Sequence, residues 1–247
     1  MIGEFVFEVN SGGLAQHQFL QIIDCLRLFR VGGVTAGRYK MQSEESFLHG
    51  SISTLSGGSP SHSKFTYVLS SADATNLEGF IRDVAPLLPD PFDVVGGATP
   101  KEIAFTRYKD ALFHGVGSER AITSSITALE ALFLTNEPEL NHRLAQRASV
   151  FLRVLGTSPD PGRTYTDIRN GYKIRSTFIH GGSLRKEDRA AADVLSVALL
   201  EYTRVCILAF FQMATPKKLL LNQLDLAMID PARVTELQSS LAPVVYR

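Results

Sequence analysis

The chain has no tryptophan, only two cysteines, and no net formal charge, with 25 basic residues against 25 acidic ones. Cys25 and Cys206 stand far apart, without a CxxC pair or a nearby histidine cluster. That argues against a disulfide framework and against a structural zinc site, and it fits a reducing cytoplasm. No metal and no cofactor is expected. The glycine pairs at 32–33 and 96–97 are not followed by lysine at phosphate-loop spacing, so they read as turns. There is no GxSxG, which removes support for Ser/His/Asp hydrolysis. The amino terminus, MIGEFVFEVN, lacks the basic-then-apolar pattern of a signal peptide. The longest apolar run, Val194 to Met213, is broken by Ser196, Glu201, Thr203 and Arg204. It reads as a buried helix, with no membrane contact expected.

What is present is an ordinary globular mixture. Of 247 residues, 45% are hydrophobic and 20% charged, ample for a core. Charge is unevenly spread. Between 163 and 189, Arg163, Arg169, Lys173, Arg175, Arg185, Lys186 and Arg189 outweigh Asp167, Glu187 and Asp188. A neutral chain is a poor general polyanion binder, but a local basic segment can hold a phosphate backbone.

The first 98 residues read as a small mixed α/β unit. Ser11 suits the cap of a helix over about Leu14 to Arg30, with Phe19, Ile22, Ile23, Leu26 and Phe29 inward. Phe5–Val9, Val34–Met41 and Phe65–Leu69 read as strands. Asp73 is expected to cap a helix reaching about Leu87, and prolines 86, 89 and 91 with Gly96-Gly97 mark a boundary. Residues 99–247 then turn helical, and short loops between amphipathic helices predict an antiparallel bundle. Its expected helices are Pro100–His114, Ser118–Thr135, Pro138–Leu155, the segment Asp167–Gly182, and Glu187–Met213, with shorter ones after Pro216. The fold class is therefore mainly α.

The segment Asp167–Gly182, DIRNGYKIRSTFIHGG, organises the rest. On a helical wheel Ile168, Tyr172, Ile174, Phe178 and Ile179 share one arc, and Arg175 falls inside it. Arg169, Lys173, Ser176 and Thr177 take the other face. A cation on the apolar arc is costly unless it is paired or serves a site. His180 ends the helix, where the C-terminal carbonyls favour its protonated form, and Gly181 or Gly182 suits the left-handed cap. Arg147 repeats the oddity one helix earlier. Glu130, on the border of its own helix's stripe, is expected to pair with Arg147, Arg175 or both. For Arg147 a buried pair that only fixes helix register is the competing reading.

These residues carry a resemblance. LEALFL, the ELNHRLAQR run and YKIRSTFIHGG, in that order on consecutive helices, resemble the HEPN superfamily in its Apea-like subgroup. The superfamily mark is an arginine, four to six residues, then a histidine, and Arg175-(STFI)-His180 matches it. Arg107 and His114 match the bare spacing too, but without that company. The resemblance spans roughly residues 100–215, and residues 1–98 resemble the tail of the longer amino-terminal region such proteins carry. It implies an antiparallel HEPN-type bundle and a metal-independent endoribonuclease in phage defence, toxin action or RNA processing. It makes His180 the acid/base and Arg175 the stabiliser of phosphate charge. Ser176 departs from the Asn, Asp or His often found after the family's arginine. Members without catalysis bind RNA, a nucleotide or a protein partner instead, which is the second expectation.

One geometric problem follows. Five helical steps separate Arg175 and His180 by about 140° in rotation and about 7.5 Å along the axis. Either the backbone leaves the helix near His180, or two chains share one site. A homodimer through segment 167–182 is therefore expected, with Arg163, Arg169 and Lys173 on its rim for RNA, and Glu130, Arg147 and Ser176 in support. His17, His49, His62 and His142 read as surface or capping residues.

Overall fold

A computed structural model describes residues 15–34, 65, 67–90, 98–113, 117–135, 139–158, 160–242 and 244. Their regular structure is helical: α1 (Ala15–Phe29), α2 (Ala74–Val84), α3 (Pro100–Phe113), α4 (Ser118–Phe133), α5 (Leu140–Val154), α6 (Pro161–Ile179), α7 (Arg189–Gln212), α8 (Lys217–Ala227) and α9 (Pro231–Leu241). No strand occurs among the described residues.

α4 sits at the centre because its apolar side chains recur at helical spacing on more than one face. Ala121, Ile122, Ile126, Ala128, Leu129, Leu132 and Phe133 are all fully buried. α3, α6 and α7 pack around it, and α5 closes the layer against α6. α7 is the longest helix, and its second half, Thr203 to Phe210, is buried on all sides. By length and composition the stretch Lys186–Gln212 would cross a membrane, but 61% of its most apolar window is buried inside this bundle.

α1 and α2 add their Cys25, Leu28, Phe80 and Val84 to the same core as Phe105, Tyr108 and Cys206. The join is polar as well as apolar. The last carbonyls of a helix need donors from elsewhere. Tyr108 Oη donates to Arg27 O at 2.9 Å, Arg204 Nη1 to Leu28 O at 2.9 Å, and Tyr67 Oη to Leu26 O at 2.8 Å. Two bundle residues, Tyr108 and Arg204, together with Tyr67 thus finish α1. Burial pushes the Cys25 thiol up to about 12 and raises that of Cys206, so neither is a nucleophile at neutral pH.

Three local expectations need correction. Phe65 and Tyr67–Leu69 form no strand: Phe65 O accepts from Gly33 N at 3.0 Å, and Tyr67 is drawn onto α1 and against Gly32. Phe5–Val9 and residues 35–41 lie outside the described residues. Asp73 does not cap α2 with its side chain. Its carboxylate turns back to accept from Ser70 N and Ser70 Oγ, both at 2.8 Å, and pairs with Arg30. Those bonds hold it below the usual carboxylate range, the Ser70 backbone bond foremost. Finally, α6 begins at Pro161, ahead of the expected Asp167, because Asp160 accepts from Arg163 N at 3.0 Å and proline suits the first helical position.

Candidate functional site

α6 is fixed by close approach. A Cβ on Gly171 would lie 2.7 Å from Leu199 Cδ1 of α7 and 2.9 Å from Ile126 Cδ1 of α4. With that side locked, the remaining side chains of α6 are distributed by rotation alone. Ile168 is buried, and Tyr172, Ile174 and Phe178 are half-buried. Ile179 is expected on the same apolar arc, but at the last position of α6 it is 54% exposed.

Arg175 points at α4. Its Nη2 lies 3.0 Å from Glu130 Oε2, its Nε donates to Thr127 Oγ1 at 3.2 Å, and its guanidinium stands 5.8 Å from the Tyr172 ring. The two side chains are 23% and 17% exposed. Burial lifts the Glu130 carboxyl above its ordinary range, and Arg175 pulls part of that back. The expected Glu130–Arg175 pair is thus present.

The expected link from Glu130 to Arg147 is not. Arg147, only 3% exposed, grips Asp225 of α8 with Nε and Nη2, both at 2.7 Å, and donates Nη1 to Phe133 O at 3.0 Å. One guanidinium therefore ties α5 to α8 and finishes the last turn of α4. Its geometry is that of a structural clamp.

His180 lies on the outside. Its amide still bonds Ser176 O at 3.2 Å, so it keeps its helical place. The chain leaves the helix one residue later: Gly181 has φ of +81°, Gly181 N bonds Phe178 O at 3.1 Å, and Gly182 N bonds Thr177 O at 2.9 Å. This is a Schellman cap. A Cβ at Gly182 would sit 2.6 Å from Thr177 Cγ2, so the turn needs both glycines. The departure after His180 does not bring it round to Arg175. The imidazole is exposed and makes no hydrogen bond or ion pair among the described residues.

The rim cations divide. Counting from Tyr165 at zero, the α6 stripe Tyr165, Ser176, Arg169, His180 and Lys173 spans about 80°. Arg169 and Lys173 are exposed and form no ion pair among the described residues. Arg163 stands about 80° further round, 3.8 Å from Asp167, whose Oδ2 also accepts from Tyr202 Oη at 3.0 Å. It belongs to the α7 side of the helix. Arg107 pairs with Asp110 at 3.2 Å, and His114 lies outside the described residues. His17 contacts Asp90 at 3.3 Å, and His142 Nδ1 lies 2.9 Å from Tyr165 Oη.

No protein-family model, no curated protein and no solved structure matches this chain. Among the described residues no group of His, Cys, Asp and Glu is placed to hold a metal ion. What sequence reasoning missed is Asp225, Thr127 and the pair of cavities beside Tyr172. One cavity, of about 560 Å³, is lined by Asn141, Tyr165, Arg169, Tyr172, Lys173 and Ser176 among others. The other, of about 670 Å³, shares Asn141, Arg169 and Tyr172 with it.

Proposed function

We propose that the chain is a HEPN-type, metal-independent endoribonuclease acting in phage defence, toxin action or RNA processing, with Arg175 and His180 at its centre. The observation that carries this reading is the contrast at the end of α6. Arg175 is oriented by Glu130 and Thr127, while His180 stands exposed on a basic stripe and unbonded among the described residues. A fixed cation and a free imidazole are the two groups that metal-free RNA cleavage uses. The 2′-oxygen attacks the adjacent phosphorus and loses its proton to a base, the P–O5′ bond breaks, and O5′ takes a proton from an acid. Charge on the phosphoryl oxygens falls to the arginine.

One chain is not enough for this. His180 and Arg175 diverge by about 140° on a helix that stays regular through His180. A two-fold homodimer through 167–182 brings two histidines, one as base and one as acid, and two arginines to one cleft. The exposed Ile179 favours covering of that end. A second reading is a HEPN module that binds RNA without cutting it. It is favoured by the Glu130 contact, which already neutralises Arg175.

Incubation of the purified chain with structured RNA in EDTA tests the first reading. The expected products end in 2′,3′-cyclic phosphate and 5′-hydroxyl, and a 2′-deoxy substitution at the cut site blocks scission. Intact RNA that nevertheless stays bound to the chain points to the second.

A further inference from the structure

We infer that two copies of this chain meet along the exposed stripe of α7, the two helices running antiparallel about a two-fold axis at Val194. This rests on the two-chain reading above for the cleft, and adds to it the surface through which the copies meet.

α7 is apolar on more sides than the bundle covers. No charge interrupts it from Val194 to Leu200, and Val194 and Val197 stand 63% and 50% exposed. With Ala190, also exposed, they recur at the i, i+4, i+7 spacing of a helix-packing seam. One turn before Ala190, on the 3-10 turn that leads into α7, stands Lys186, exposed and without an ion pair among the described residues. One turn after Val197 stands Glu201, its side chain 47% exposed. Its carboxylate accepts from Arg204 Nε and Nη2, which leaves lone pairs for a further donor. From Lys186 to Glu201 the five side chains fall within about 80° of rotation and about 22 Å of length. Past Glu201 the same stripe is covered, because Arg204, Val205 and Leu208 are buried. The open seam therefore begins on a cation and ends on an anion.

That order decides the occupant. A copy laid parallel sets Lys186 on Lys186 and Glu201 on Glu201. A copy laid antiparallel sets Lys186 against the second copy's Glu201, Ala190 against its Val197, and Val194 against its Val194. Opposite charges then meet at both ends. Each small alanine faces a valine, which suits the axis separation of about 8–10 Å found between packed helices. A two-fold interface must complement itself, and this stripe does.

The same pairing places α6. Lys173, Ile174 and Thr177 line a groove of about 460 Å³ with Ala191, Val194 and Leu195, so α6 flanks the seam on one side. The two-fold axis of an antiparallel pair runs between the helices and across them, and it keeps such neighbours on one side. Both α6 helices then border one cleft, with their exposed basic stripes towards it.

Sedimentation velocity over a micromolar concentration series and disulfide trapping test this on the full chain without RNA. The native chain should sediment as a dimer. Val194→Glu, a change at an exposed position, should sediment as a monomer and keep the native melting temperature. Val194→Cys should trap a covalent dimer on mild oxidation, whereas Leu219→Cys, also exposed but on α8, should not. Cys25 and Cys206 are buried and stay out of the reaction. An equimolar mixture of Ala190→Cys and Val197→Cys chains should trap the mixed dimer in preference to either like pair. Mixed dimers no more frequent than like pairs overturn the antiparallel register. A dimer that survives Val194→Glu, or trapping no greater for Val194→Cys than for Leu219→Cys, overturns the seam and leaves the cleavage reading to its own assay. A native chain that stays monomeric throughout overturns the seam and the shared cleft together.

Discussion

Arg175 carries two demands that pull against each other. It holds the half-buried Glu130 carboxylate, and the proposed chemistry also asks it to present charge to a phosphate. Its side chain is 23% exposed and Glu130 is 17% exposed, so the pair is only partly desolvated. Removing one partner of a fully buried pair costs about 3–5 kcal/mol, and here about 2–3 kcal/mol is expected for Arg175→Ala. A melting temperature unchanged by that substitution would show that Glu130 needs no partner. The pH dependence has a definite sign. Burial raises the Glu130 carboxyl despite Arg175, so folding favours its protonated form. The stability this contributes is present below the unfolded value and lost as pH rises through the folded one. Compared with Glu130→Gln, the native protein should therefore lose ground as pH is raised from about 4 to about 7. Denaturant titrations of both across that window give the difference, and a flat difference refutes the assignment. This pair was legible in the sequence because a cation on an apolar arc demands a partner. The Arg147–Asp225 clamp was not, because Asp225 sits on α8, and no sequence period reveals how α8 registers on α5.

At the scale of helices, most boundaries were legible from caps and breakers, and the errors have local causes. Asp73 turned back to Ser70 and Arg30, where it found more donors than the start of α2 offered. The cavities beside Tyr172 were invisible, since they arise from how α5 and α6 meet. Two substitutions test the elements themselves. Arg147→Ala should unclamp α5 from α8 and cost about 3 kcal/mol, with Arg147→Lys a poor rescue because it cannot grip Asp225 twice. Equal melting temperatures for native and Arg147→Ala chains would contradict this. Gly182→Ala should open the Schellman turn, because its Cβ meets Thr177 Cγ2 at 2.6 Å and Thr177 O at 3.0 Å. Stability should fall by about 1 kcal/mol, and RNA cleavage should fall further than stability alone explains, because His180 is held by that turn. Cleavage that follows the folded fraction one-for-one would remove the turn from the site.

For the whole molecule, the helical architecture could be read from the sequence, while the shared core of α1, α2 and the bundle could not. Carbonyls 26 to 28 of α1 are finished by Tyr67, Tyr108 and Arg204, contacts that span up to 176 residues. The proposed assembly operates at this scale too. If two chains share a cleft, mixing His180→Ala with Arg175→Ala chains should restore part of an activity that neither has alone. Sedimentation at micromolar concentration should show a dimer, and a strict monomer with full activity would rule the shared cleft out. The proposed chemistry is tested most directly by the cleavage rate of RNA in EDTA, measured side by side for the native chain and His180→Ala. The imidazole is exposed and bonds nothing among the described residues, so its removal should leave the melting temperature unchanged while cleavage falls by about 10²–10⁴-fold. Cleavage that survives in His180→Ala at the native rate would contradict the catalytic role of His180.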